Sequence, residues 1–192
     1  TLANVLEAKG DNAGAEEAYR RAIGLAPEVP RYYTDLGALL KEMGRDECWN
    51  NGGIAEYRKA LELDPGYAPA HNYLGAALDD QGDLDGAVAS YRRAVELAPD
   101  FAAAHYNLGN ALKNQNDLAG ALASYRRALE LDPSHADFNR ITSLGLLLQK
   151  KGQLEEAESL YRRALEIHPN HYRCQKQLDA LLAVRLSEQA KR

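Results

Sequence analysis

The chain is short of the residues that most specialised scaffolds depend on. Its 192 residues include only two cysteines, Cys48 and Cys174. They lie far apart and match no metal-ligand spacing, which argues against a disulfide framework and a zinc site and makes a reducing intracellular compartment, such as the cytoplasm, the expectation. There is one Trp and one Met. No apolar run approaches the roughly 20 residues that cross a bilayer, so membrane insertion is not expected. Excess charge of either sign is also missing. With 23 Lys and Arg against 28 Asp and Glu, the net charge of −5 creates no field that gathers polyanions, so nucleic acid is not an expected partner. The opening residues Thr1-Leu2-Ala3-Asn4 lack both an initiating Met and the layout of a signal peptide, and the expectation is a piece of a longer protein.

What is present is repetition. Shifted by 34 positions, Ala87-Val88-Ala89-Ser90-Tyr91-Arg92-Arg93-Ala94-Val95-Glu96-Leu97-Ala98-Pro99 falls on the segment from Ala121 to Pro133, with Tyr125, Arg126, Arg127 and Ala128 in matching places. The same phrase runs from Ala15 to Pro27, Gly53 to Pro65 and Ala157 to Pro169, five copies in all. Between copies stands a Leu-Gly pair, Leu36-Gly37, Leu74-Gly75, Leu108-Gly109 and Leu144-Gly145, each followed by a leucine three residues on. Spacings of three and four between Ala87, Val88, Tyr91, Ala94 and Val95 draw one apolar stripe along an α-helix, not a strand alternation. Gly82-Asp83 and Gly152-Gln153 break the chain between the two segments of a unit, and Pro99, Pro133 and Pro169 end the second. Each unit therefore reads helix, turn, helix, turn, with small residues (Gly75, Ala87, Ala94) facing the large Tyr91.

His71-x-x-Leu74-Gly75-x-x-Leu78 followed by Ala87, Tyr91, Ala94 and Pro99 resembles the tetratricopeptide repeat, with His for its usual Trp and Leu for its first Tyr. The resemblance covers about residues 2–171. It implies an all-α fold, a right-handed superhelical α-solenoid of antiparallel helix pairs, working as a protein-interaction scaffold with neither enzymatic activity nor cofactor. The expected division of a single domain is a partial repeat at 1–29, a repeat with an insertion at 30–67, repeats at 68–101, 102–135 and 136–171, and a capping helix at 172–192. The cap rests on a stripe of Leu178, Leu181, Leu182 and Leu186. The partial repeat keeps only Leu2, Val5 and Leu6 of its first helix, which leaves the N-terminal face without an expected cap.

Proline-to-proline spacings of 38 before Pro65 and 36 before Pro169 mark two insertions. The first, Gly44 to Gly52, holds Trp49, which either folds back over helix ends or offers an aromatic anchor to a partner. The second, around Ala136-Asp137-Phe138, lengthens a turn or adds half a turn of helix.

In the family, the inner face of each first helix lines a binding groove. Here that face is expected to carry Thr34, Asp35, Asn72, Tyr73, Asp79, Tyr106, Asn107, Asn110, Lys113, Asn114, Thr142, Ser143 and Gln149. Asn72, Tyr73, Tyr106, Asn107, Asn110, Lys113 and Asn114 form the candidate partner-binding groove. Asn107, Asn110 and Asn114 share one helix face, and their amides both donate to and accept from an extended backbone; the bland alternative is a solvated helix face. Adaptors that grip a chaperone's terminal carboxylate use a Lys and Arg clamp. Thr34, Ala38, Tyr73, Ala103 and Asn107 stand at the matching places, so that role is not expected. The asparagines resemble more the groove of protein O-linked N-acetylglucosamine transferases, and the alternative function is the substrate-recognition arm of such a larger enzyme.

The recurrent pairs Arg20-Arg21, Arg58-Lys59, Arg92-Arg93, Arg126-Arg127 and Arg162-Arg163 resemble a phosphate ladder. Glu62, Glu96, Glu130 and Glu166 at spacings of three and four instead predict exposed ion pairs. His71 and His105 occupy one register in adjacent units, which predicts packing rather than chemistry. His168 and His171 straddle Pro169 and make no helical metal face. No nucleophile stands with a base, and no metal site is expected. The expected partner is another protein or a peptide segment, met alone or within a larger complex.

Overall fold

Every repeated phrase is helical in the computed structural model, which describes residues 2–44, 53–132, 138–167 and 169–189. Among them run α1 (Leu2–Ala8), α2 (Asn12–Leu25), α3 (Pro30–Met43), α4 (Ile54–Leu63), α5 (Ala68–Asp80), α6 (Leu84–Leu97), α7 (Ala102–Asn114), α8 (Leu118–Leu131), α9 (Phe138–Lys150), α10 (Leu154–Ile167) and α11 (Tyr172–Gln189). No strand occurs among the described residues. The chain divides into two compact units, Thr1–Ala111 and Leu112–Arg192. In the first, α1 packs on α2, α3 on α4 and α5 on α6, with α2 against α3, α4 against α5 and α3 against α5. In the second, α8 packs on α9, α9 on α10, and α11 on both α9 and α10. Trp49 and the rest of its insertion lie outside the described residues, as do Ala136 and Asp137; Phe138 opens α9.

The turn inside a helix pair is built the same way four times. One residue takes a left-handed conformation: Gly10 at φ 78°, Gly82 at 81°, Asn116 at 65° and Gly152 at 75°. The next N–H then reaches back to a helix carbonyl, Asp83 to Leu78 at 2.9 Å, Asp117 to Leu112 at 2.8 Å and Gln153 to Leu148 at 2.9 Å. Glycine adopts this conformation without the Cβ penalty, and Asn is the side chain that tolerates it best. The chain then turns straight into a capped helix. The Asp11, Asp83 and Asp117 carboxylates accept from the Gly14, Gly86 and Gly120 N–H groups at 3.0, 3.0 and 2.9 Å. Losing such a cap costs about 1 kcal/mol. Asp83→Ala is therefore expected to lower the urea midpoint of unfolding measurably, while Asp100→Ala, an exposed aspartate outside any helix, leaves it in place.

Packing pairs small against large. A Cβ on Gly37 would stand 2.6 Å from the Tyr57 ring, and one on Gly75 2.8 Å from the Tyr91 ring. Tyr19, Tyr57, Tyr91, Tyr125 and Tyr161 are all buried, each beside alanines at zero to one per cent exposure (Ala15, Ala60, Ala94, Ala128, Ala164). Glycine and alanine let the two helices of a pair close on the ring, and the aromatic area supplies the burial.

At the C-terminal end, α11 buries Cys174, Leu178 and Leu181, and burial raises the Cys174 thiol's affinity for its proton. Leu182 is half-buried, but Leu186, expected on the same stripe, is 65% exposed. With 18 residues, against 13 in α9 and 14 in α10, α11 is about 27 Å long at 1.5 Å per residue and is longer than either helix it packs on. At the N-terminal end Leu2 and Val5 are exposed and Ala3 is buried.

Candidate functional site

The first helices of the pairs carry the polar and aromatic residues singled out from sequence, and the structure sorts them by access. Thr34 is 1% exposed and its hydroxyl donates to the Pro30 carbonyl one turn back at 3.1 Å. Asn72, expected on the open groove, is buried at 7%, and its side-chain oxygen accepts from the Asn107 amide at 3.0 Å. This bond ties α5 to α7 across 35 residues, so both amides serve the junction between repeats. Tyr73 is 39% exposed, and its ring stacks on that of the fully buried Tyr57, with centroids 5.6 Å apart and planes 16° from parallel. Tyr106, Asn107 and Asn110 are half-buried on α7. Lys113 and Asn114, in the last turn of α7, are exposed and belong to the second unit.

A second group on the first unit escaped the sequence reading except for Asp35. Tyr19 Oη donates to Glu7 at 2.9 Å, and burial together with Glu7 pushes that phenol well above the ordinary tyrosine range. Burial raises the pKa of Asp35, against the opposing pull of Arg31, whose Nε lies 3.3 Å away. Tyr67, half-buried at the N-terminus of α5, is raised by burial and by the Asp35 charge. One available signal was register, for Tyr67 precedes its first helix as Val29 and Phe101 precede theirs.

The second helices behave as charged outer faces. Lys59–Glu62, Arg93–Glu96 and Arg127–Glu130 pair at 2.9, 3.2 and 3.2 Å with side chains about half exposed. Such pairs contribute about 0.5 kcal/mol or less each. Arg126 instead donates from Nη2 to both carboxylate oxygens of Glu156 at 2.6 and 2.8 Å and from Nε at 3.1 Å, linking α8 to α10 at the rim of a 460 Å³ cleft floored by Leu129, Ile141, Leu144, Leu160 and Ala164. Tyr33, His71 and His105 each bond the carbonyl of the proline six residues earlier, Pro27, Pro65 and Pro99, at 3.0–3.1 Å. Ile141 stands at that register, three residues before Leu144 as His71 stands before Leu74, and has no polar side-chain atom to make the bond. The two histidines thus brace a turn. Among the described residues, no group of three or more His, Cys, Asp or Glu is placed to hold a metal ion, and no helix is long and apolar enough to cross a membrane.

Helix pairs of this length, with small-against-aromatic packing and a polar first-helix face, define a helical-repeat scaffold. Models of the tetratricopeptide repeat match residues 1–45, 56–89, 102–135 and 142–171, and a TPR repeat model matches 77–116. The chain belongs to the tetratricopeptide repeat family. It is 41% identical over 71 residues to TPR repeat-containing thioredoxin TTL4 of Arabidopsis thaliana, a match to 37% of this chain and only 10% of that relative's length. Among solved structures, MamA superposes with a TM-score of 0.71 at 26% identity, covering 86% of this chain and 94% of that one. YrrB, described as a TPR protein with an unusual peptide-binding site, superposes with a TM-score of 0.66 at 26% identity, covering 91% and 87%.

Proposed function

We propose that this chain is a protein-interaction scaffold that holds an extended or helical segment of another protein against the first helices of its N-terminal unit, with Tyr73, Tyr106, Asn107 and Asn110 at the contact. The observation that carries this reading is Tyr73, an exposed ring held in place by the buried Tyr57 beneath it. A ring fixed in advance loses little conformational freedom when covered, which is the property of an interface anchor. Half-buried amides beside it suit main-chain recognition, and the peptide-binding site named for YrrB adds support from a relative. A second reading, the recognition arm of a larger enzyme, is favoured by the match to a protein named as a thioredoxin that contains these repeats.

Photo-crosslinked capture, comparing wild type with a Tyr73→Ala, Asn110→Ala double variant, tests the site. The expected result is a partner whose crosslinks map to α5 and α7 and whose recovery falls at least tenfold in the variant. Unchanged recovery of every captured protein would move the site off this face.

A further inference from the structure

On the reading that the first unit holds a partner segment, the charges and rings around Asp35 specify what that segment must contain. The two units are electrically unlike. Residues 1–111 hold 10 Lys and Arg against 18 Asp and Glu, a net charge of −8, whereas residues 112–192 hold 13 against 10, a net charge of +3. Within the acidic unit, Asp35 of α3 keeps 24% of its side chain exposed and is partly stripped of water. Its ion-pair partner Arg31 is a weak match. The 3.3 Å separation exceeds the 2.7–2.9 Å of a strong charge-assisted bond, and the Arg31 side chain is itself 61% exposed. The α3 helix that carries Asp35 packs against α2, which bears Tyr19, and against α5, which Tyr67 precedes and which carries the exposed ring of Tyr73; burial first, and then nearby charges that include Asp35, raise the Tyr19 and Tyr67 phenols, and Tyr19 is bonded to Glu7.

A half-desolvated carboxylate on a helix packed against tyrosine-bearing neighbours is the chemistry that receives a guanidinium or ammonium group, which donates charge-assisted bonds to the acid and gains cation–π attraction from ring faces. We infer that the N-terminal unit recognises a basic segment, with an Arg or Lys side chain of the partner entering between Asp35 and the Tyr67 and Tyr73 rings. Arg31 is then an internal competitor that occupies the carboxylate until the partner's cation replaces it. This assignment goes beyond a scaffold of unspecified partner. It also separates two acids of equal formal charge: Asp35 acts by position, whereas Glu96, exposed and paired with Arg93 on a second helix, contributes only to the general field.

Panning a random peptide display library on the intact chain provides the test, with the recovered peptides then synthesised and their affinities measured by fluorescence anisotropy. Lys and Arg are expected to be enriched among peptides whose binding depends on Tyr73. For those peptides Asp35→Asn should weaken binding at least fivefold, Glu96→Gln less than twofold, and Arg31→Ala should strengthen it. Opposite effects of Asp35→Asn and Arg31→Ala cannot come from misfolding, which weakens binding in both. Peptides that depend on Tyr73 but show no basic enrichment would overturn the inference and leave the scaffold reading intact. Equal losses in Asp35→Asn and Glu96→Gln would overturn it as well, reducing the effect to net charge. If no peptide depends on Tyr73, the inference and the site reading fall together.

Discussion

Gly53→Ala is expected to destabilise the first unit by roughly 2–5 kcal/mol, more than other alanine substitutions at its left-handed glycines, because two separate costs meet at one residue. Gly53 sits at φ +76°, where an L side chain strains the backbone by about 1–2 kcal/mol. It also begins α4 directly against α3. A Cβ there would overlap the Gly37 carbonyl and lie 2.8 Å from the Gly37 Cα, so the obstacle is main chain and cannot turn aside. Relieving such an overlap by moving helices costs about a further 1–3 kcal/mol. Gly82 separates the terms: its φ is +81°, but among the described residues nothing lies within 4 Å of its would-be Cβ. Gly82→Ala should therefore show only the conformational cost. Urea unfolding of both variants checks this, and equal losses would show that the close approach of Gly37 and Gly53 contributes nothing to stability.

The part of the fold that sequence reveals is the part written locally. A turn glycine, the aspartate after it and a tyrosine with its alanine three residues later all lie within one pair of helices, and the period repeats them. The family and the helical fold follow from these. The candidate site is decided differently. Asn72 and Tyr73 are adjacent polar-looking positions, and only the arrival of Asn107 on one and of Tyr57 under the other makes the first buried and the second an exposed platform. The Glu7, Tyr19, Asp35 and Tyr67 group draws on three helices and the residue before a fourth, so no short sequence window contains it. Leu186 fails in the opposite direction, since its periodicity is right but its side chain is left 65% exposed while the adjacent Arg185 pairs with Glu155 and Glu158 of α10.

If small-against-large pairing sets the closeness of each helix pair, its two members must be energetically coupled, and Gly145 with Tyr161 is the pair to measure. A Cβ on Gly145 would overlap Cζ and Oη of Tyr161, a ring with no exposed surface and no free direction in which to swing. Gly145→Ala is expected to cost about 1–3 kcal/mol through overpacking. Tyr161→Leu empties part of the same space and costs about 2–4 kcal/mol, mostly as cavity. Among the described residues the buried Tyr161 hydroxyl has no hydrogen-bond partner, so the leucine variant reports mainly on shape. In the double variant the new methyl group enters the vacated space, and the cost should fall short of the sum by at least about 1 kcal/mol. Gly24→Ala makes the contrast, because among the described residues no atom lies within 4 Å of its would-be Cβ and helix propensity alone should raise stability by about 0.5–1 kcal/mol. Combined with Tyr161→Leu it should add without coupling. Coupling at Gly145 with additivity at Gly24 would assign the glycine of the Leu-Gly pair to packing against the tyrosine. Additivity at both would mean that the helices of α9 and α10 set their separation by other contacts, and that the recurrent glycine answers to something else in the repeat.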